Sequence, residues 1–216
     1  MNREEKNELS KEKIINGCIK EFGTNEYITA SLNNVCKNNN ISKGLLFHYY
    51  KNKEELFLIC AEKCFQELSK YLEENFQWQG RGIDVELNNY LNKRLEFFKE
   101  NSYYNQIFIS AVFNPPEGLE NDIKNLKKVL DDTNKKFLNR ILEDSQLKDT
   151  IDKDNALNMI LEFGNYLQLK FKSIYKERKD NYADVIAQQD KAFSHMLNII
   201  LYGIIRPLKI NNKSKM

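Results

Sequence analysis

The chain has little proline and little glycine: three and eight in 216 residues, against abundant Leu, Lys, Glu, Asn and Ile. That balance disfavours turn-rich sheet architectures and predicts a mostly helical protein. Histidine is scarcer still, with only His48 and His195. With no glycine-rich phosphate loop and no nucleophile elbow, the sequence gives no footing for an enzyme, and none for a cofactor. The four cysteines do not have zinc-finger spacing, so no metal is expected. Cys60 and Cys64 stand one helical turn apart on an apolar stripe, which reads as packing by reduced thiols rather than a redox or soft-metal pair. No apolar run reaches membrane-spanning length, and none follows the N-terminal charges as a secretory signal would. A cytoplasmic protein without a membrane partner is the expectation. The formal net charge of +2 is too small for indiscriminate nucleic-acid binding.

Charge is instead unevenly placed. Ile28 to Lys53, ITASLNNVCKNNNISKGLLFHYYKNK, holds Lys37, Lys43, Lys51 and Lys53 and neither Asp nor Glu. It reads as two short helices around a tight turn. Ser31 can cap the first, which puts Leu32, Val35 and Cys36 on one face. Asn38-Asn39-Asn40 stops it, since Asn tolerates left-handed backbone. Ser42 can cap the second, where Leu46 and Tyr50 point one way and Lys43, Phe47 and His48 another. Asn52 and Glu55 then suggest a capping box that opens a further helix. This is the pattern of a helix-turn-helix whose second helix enters the DNA major groove.

Ile41-Ser42-Lys43-Gly44-Leu45-Leu46-Phe47-His48-Tyr49-Tyr50, followed by Lys51-Asn52-Lys53-Glu54-Glu55-Leu56, resembles the signature of the TetR family of bacterial one-component regulators. The resemblance runs from about Ser10 to Phe57. Phe47 stands where that family usually has Tyr, Asn39-Asn40 replaces a small residue and Gly, and Leu45 stands at a position often held by Thr. The resemblance implies an all-α homodimer with a three-helix DNA-binding domain, residues 1–54, and a larger effector-binding and dimerisation domain, residues 55–216. It implies a repressor that binds a palindromic double-stranded operator and is released by a small, largely apolar effector. A helical binding or assembly protein of the same architecture, without operator recognition, is the alternative.

On this reading Lys43, Gly44 and Leu45 meet base edges. Lysine can donate to guanine, an apolar side chain can meet a thymine methyl, and Gly44 lets the backbone approach. Asn33 can reach a base from the preceding helix. Ser31, Tyr49 and Lys53 are phosphate candidates, Lys53 at a helix N-terminus that already favours an anion; Ser42, Phe47 and His48 are also expected at the DNA.

Along the chain, residues 1–9 read as a charged, frayed arm. Ser10 to Phe22 carries the stripe Ile14, Ile15, Cys18, Ile19, Phe22, with Gly23 as its stop. A long helix from Lys53 to about Asn75 is the natural mechanical connector. Helices are expected over Val85–Glu100, Ser102–Phe113 and Glu117 to about Asp144, then from Asp152 or Asp154 to about Arg178, and from about Tyr182 to Ile205, before Pro207 and a basic tail. Aromatics crowd the larger part. A subset (Phe98, Tyr104, Phe108, Phe163 and Tyr166) is expected to enclose an effector pocket, with Glu162 and Asn165 as polar specificity elements. The last two helices are expected to pair between subunits through Met159, Ile160, Phe163, Leu167 and Phe171 with Ala192, Phe193, Met196, Leu197, Ile200 and Ile204.

Overall fold

The computed structural model describes residues 2–177 and 185–205. The expected helix ends at Arg178 and Tyr182, and Pro207 with the basic tail, lie outside the described residues. Among those described there are ten α-helices and no strand, only one isolated bridge between Leu147 and Ile205. No helix among them is long and apolar enough to cross a membrane.

α1 (Arg3–Thr24) begins earlier than the sequence suggests. The expected frayed arm is helical because Asn2 and Glu5 form a capping box. The Asn2 side chain accepts from the Glu5 N–H at 2.7 Å, and the Glu5 carboxylate accepts from the Asn2 N–H at 2.9 Å. Gly23 does not stop α1, which runs on to Thr24 and ends at extended Asn25. Its hydrogen is required for packing: a Cβ there would lie 2.4 Å from Tyr103 Cβ and 2.6 Å from Tyr103 Cα.

α2 (Leu32–Asn38) and α3 (Lys43–Tyr49) follow, with Val35, Cys36 and Leu46 buried in the core cluster that α1 shares and Asn40 in the left-handed region at φ 49°. Glu21 of α1, itself buried, accepts from the Ser31 N–H at 2.8 Å and from Asn34 Nδ2 at 3.2 Å, which fixes where α2 starts. α4 (Lys53–Asn75) is capped by Asn52, whose side chain accepts from the Glu55 N–H at 2.9 Å. The Glu55 carboxylate reaches the Lys51 N–H rather than that of Asn52, so only half of the expected box forms. Leu56, Phe57, Cys60, Cys64, Phe65, Leu68 and Leu72 of α4 are all buried. They carry one hydrophobic cluster without interruption from α1 into the larger part.

α5 (Ile83–Glu100) and α6 (Ser102–Phe113) are separated only by Asn101. α6 packs against both α1 and α4. After Pro115-Pro116 the single helix expected over Glu117–Asp144 is two, α7 (Glu120–Leu126) and α8 (Lys128–Asp144). The turn at Lys127 (φ −69°, ψ −14°) closes with a Leu130 N–H to Lys127 carbonyl bond at 3.0 Å, one residue tighter than α-helical spacing. Both segments pack on α4. Asp152, not Asp154, caps α9 (Lys153–Glu177) by accepting from the Asn155 N–H at 2.8 Å. α10 (Val185–Ile204) packs against α9 and α5.

Candidate nucleic-acid interface and ligand cavity

The outward face of α3 is the face to which its own fold gives least to do. Leu46 is fully buried and anchors the helix, while Lys43, Gly44, Phe47 and His48 are exposed. Phe47 keeps 52 % of its surface in solvent. A Cβ on Gly44 would meet nothing within 4 Å. Glycine inside a helix costs about 1 kcal/mol relative to alanine, and no neighbour repays that here. Ser42 caps α3 by accepting from the Leu45 N–H at 3.1 Å, and Ser31 caps α2 by accepting from the Asn33 N–H at 3.2 Å. Asn33 is exposed beside them, and Leu45 is half-buried.

Two of the expected phosphate candidates are already engaged. The Tyr49 hydroxyl donates to Asn7 Oδ1 at 2.9 Å, which ties α3 to the first turns of α1. The Lys53 ammonium lies 4.4 Å from the Tyr27 ring centroid and 3.5 Å from the Ile28 carbonyl oxygen, and burial draws its pKa below the ordinary lysine range. The four cysteines are buried thiols within the core; burial pushes Cys18 up to about 12 and raises Cys60 and Cys64 as well, so these three are not poised as thiolates.

A cavity of about 330 Å³ lies among α5, α6, α8, α9 and α10. Of the five aromatic side chains expected around an effector, only Phe108 lines it. Phe98 is buried one turn beyond the Leu87, Leu91, Arg94 side of α5, and Tyr104 stacks on Phe97 with ring centroids 6.0 Å apart. Glu162 and Tyr166 are exposed on the opposite side of α9 from Ile160, Gly164 and Leu167, which do face the cavity, and Phe163 is exposed at the edge between the two sides. Asn165 lines it as expected. α4, the expected connector, contributes no residue to its wall; α6 does, through Phe108 and Val112.

Sequence reasoning missed the polar centre of this cavity. Arg94 Nη1 donates to Asp190 Oδ1 at 2.9 Å, and Asp190 is only 4 % exposed. The Arg94 guanidinium also lies over the Phe108 ring, 5.2 Å from its centroid. Burial raises the Asp190 carboxyl to about 6, while Arg94 pulls the other way. Asp190 Oδ2 and Arg94 Nε are buried and have no hydrogen-bond partner among the described residues.

The outer face of the last two helices carries exposed apolar side chains. Met159, Phe163, Tyr166 and Leu169 of α9 stand out with Ile199 and Tyr202 of α10, the last two 74 % and 81 % exposed. Leu167 and Leu197, expected to pair between subunits, are buried in the chain's own core, as are Ile160 and Phe171. Phe193, Ile200 and Ile204 are half-buried.

No family model matches the chain. It is 28 % identical over 153 residues, covering 71 % of the chain and 79 % of the relative, to the biofilm operon icaADBC HTH-type negative transcriptional regulator IcaR of Staphylococcus epidermidis. Among solved structures, a TetR-family transcription regulator of Shewanella sp. PV-4 matches with a TM-score of 0.58 and 12 % identity, covering 92 % of this chain and 99 % of that one. Bacillus subtilis FadR, solved in complex with stearoyl-CoA, matches with a TM-score of 0.57 and 15 % identity, covering 89 % of this chain and 98 % of its own. Fold and relatives agree with the helix-turn-helix motif: the chain has the fold of TetR-family transcriptional regulators and is similar in sequence to the negative regulator IcaR.

Proposed function

We propose that the chain is a repressor that binds a palindromic operator as a homodimer and leaves it when a small molecule enters the cavity. The observation that carries this is the outward face of α3. It pairs a helix glycine with no steric reason in the fold with an exposed cation and an exposed aromatic ring, in a 26-residue window (28–53) free of carboxylates. A scaffold gains nothing from that combination. A helix lying in the major groove uses each part: backbone approach at Gly44, donation to bases from Lys43, and phosphate contact from Ser31, Ser42 and Lys53. Residues 1–54 act as the reader and residues 55–216 as the effector and dimerisation part.

Dimerisation follows from two arguments. The exposed Met159, Phe163, Tyr166, Ile199 and Tyr202 form an apolar face that a second copy would cover. Half-sites about 34–36 Å apart can be read together only by paired readers. IcaR is by name a negative regulator, which favours repression, and FadR holds an acyl-CoA, which favours a ligand-responsive second part.

The signal path runs through α6. Its cavity-lining Phe108 and Val112 stand about 7 and 13 Å along the helix from Tyr103, where Gly23 of α1 packs in direct contact. A ligand that shifts α6 therefore shifts α1, and with it the recognition helix. A preference of about 1–3 kcal/mol for the released form weakens operator binding about 5- to 150-fold. Binding of Lys43→Ala to the chain's own upstream DNA and to random duplex tests the reading. Loss of preference at particular bases is expected. An equal drop on both duplexes would make Lys43 a phosphate contact and remove α3 as the reader.

A further inference from the structure

The cavity has an unusual electrostatic balance. Its walls are largely apolar, through Leu87, Leu91, Phe108, Val112, Ile160 and Phe193. At its rim Lys127 is paired with Asp131, and exposed Asp132 and Lys135 again cancel. At its centre Arg94 and Asp190 cancel each other, with Asn165, Gln168 and Gln189 as uncharged neighbours. The field therefore favours neither an anion nor a cation. The Tyr90 hydroxyl is not free to recognise a guest, because it already donates to Asn134 Oδ1 at 2.8 Å.

Two groups at the centre remain unpaired among the described residues. Arg94 Nε–H is a donor without an acceptor, and Asp190 Oδ2 is an acceptor without a donor. They belong to side chains joined by a 2.9 Å hydrogen bond, so they are neighbours. Buried polar atoms are nearly always satisfied, and these two sit on the wall of a cavity large enough for a guest. A hydrocarbon guest would leave both unpaired. A carboxylate could satisfy Arg94 Nε but would repel Asp190; an ammonium would do the reverse.

We propose that the ligand of this cavity carries an uncharged head with a hydrogen-bond acceptor and a donor on adjacent atoms, as in a primary carboxamide or lactam, joined to an apolar body. The carbonyl oxygen accepts from Arg94 Nε–H, an amide N–H donates to Asp190 Oδ2, and the body lies against Phe108, Val112 and Ile160. This rests on the proposal that the cavity is the effector site and assigns the chemistry of that effector.

Calorimetric titration of the full chain at about pH 8, where Asp190 is ionised, tests it with three probes of one shape. These are phenylbutanamide, phenylbutanoate, and the methyl ketone that replaces the amide NH₂ by CH₃. The amide should bind about tenfold tighter than either of the others, the value of one charge-assisted hydrogen bond. Asp190→Asn places a donor where Oδ2 was, so the carboxylate should overtake the amide in that variant. Should the variant not fold, judged by circular dichroism, the ranking on the native chain decides alone. A ketone that matches the amide, or no binding by any probe, overturns the proposal. Operator binding measured alongside separates the two readings. An amide that wins the ranking but leaves DNA affinity unchanged supports the head-group assignment and removes the cavity's regulatory role.

Discussion

Gly23→Ala sets two physical effects against each other where α1 meets α6. Alanine within a helix gains about 1 kcal/mol over glycine. Against that gain, the new methyl carbon would sit 2.4 Å from Tyr103 Cβ and 2.6 Å from Tyr103 Cα. Carbon atoms prefer about 3.5–4.0 Å, and a backbone Cα cannot rotate away, so α1 and α6 must part by about an ångström or more. Overpacking of that kind costs about 1–3 kcal/mol, and separation of the two helices also loses contacts beside Phe22 and Ile107. Steric cost wins, for a net loss of about 1–2 kcal/mol. For a chain of this size that is a fall in Tm of about 2–8 °C by scanning calorimetry. Gly44→Ala is the control. With open space around its Cβ it should raise Tm by about 2–4 °C while weakening DNA binding. If Gly23→Ala raises Tm as Gly44→Ala does, the α1–α6 contact is looser than described and the signal path through it fails.

Other outcomes follow from the same geometry. Ile199→Glu adds a charge to a side chain 74 % exposed on the single chain, so folding should change by no more than about 0.5 kcal/mol. Light scattering should nevertheless show dimer giving way to monomer, and a dimer that survives would move the interface off this face. Asp190 has a carboxyl raised from its ordinary 3.8 to about 6, chiefly by burial. Between those values the folded chain holds a proton that the unfolded chain has released, so stability falls as pH rises from about 4 to 6 and is level above. The native chain should therefore lose about 3 kcal/mol relative to Asp190→Asn across that window. Denaturant titrations at pH values spanning it measure this, and a constant difference would mean that Asp190 titrates normally.

The helix-turn-helix was legible in the sequence because its signals are local. Ser31, Ser42 and Asn52 cap their helices as their positions suggest, and Asn40 takes the left-handed turn. Gly23 shows where such reasoning stops. A glycine near the end of an apolar stripe reads as a helix stop, yet its reason is Tyr103, 80 residues away. α9 misled for a related cause. It is apolar on both sides, so periodicity alone could not separate Ile160, Gly164 and Leu167, which face the cavity, from Met159 and Tyr166, which face outward. The Arg94–Asp190 pair did leave a trace. Arg94 interrupts the stripe Leu87, Tyr90, Leu91, Phe98 on α5, and Asp190 interrupts Val185, Ile186, Phe193, Leu197 on α10. Opposite charges set into two apolar stripes mark a buried pair, but only the fold shows that these helices are neighbours.

Operator recognition is tested most directly by fluorescence anisotropy of the full chain on duplex DNA from immediately upstream of its own coding sequence. The comparison is a scrambled duplex of the same length and composition, each measured at several salt concentrations. A sequence-reading repressor should bind the upstream duplex at least about a thousandfold more tightly, and both affinities should fall linearly in log–log form with salt as phosphate contacts are lost. Equal affinity for the two duplexes, at every salt concentration, would contradict it.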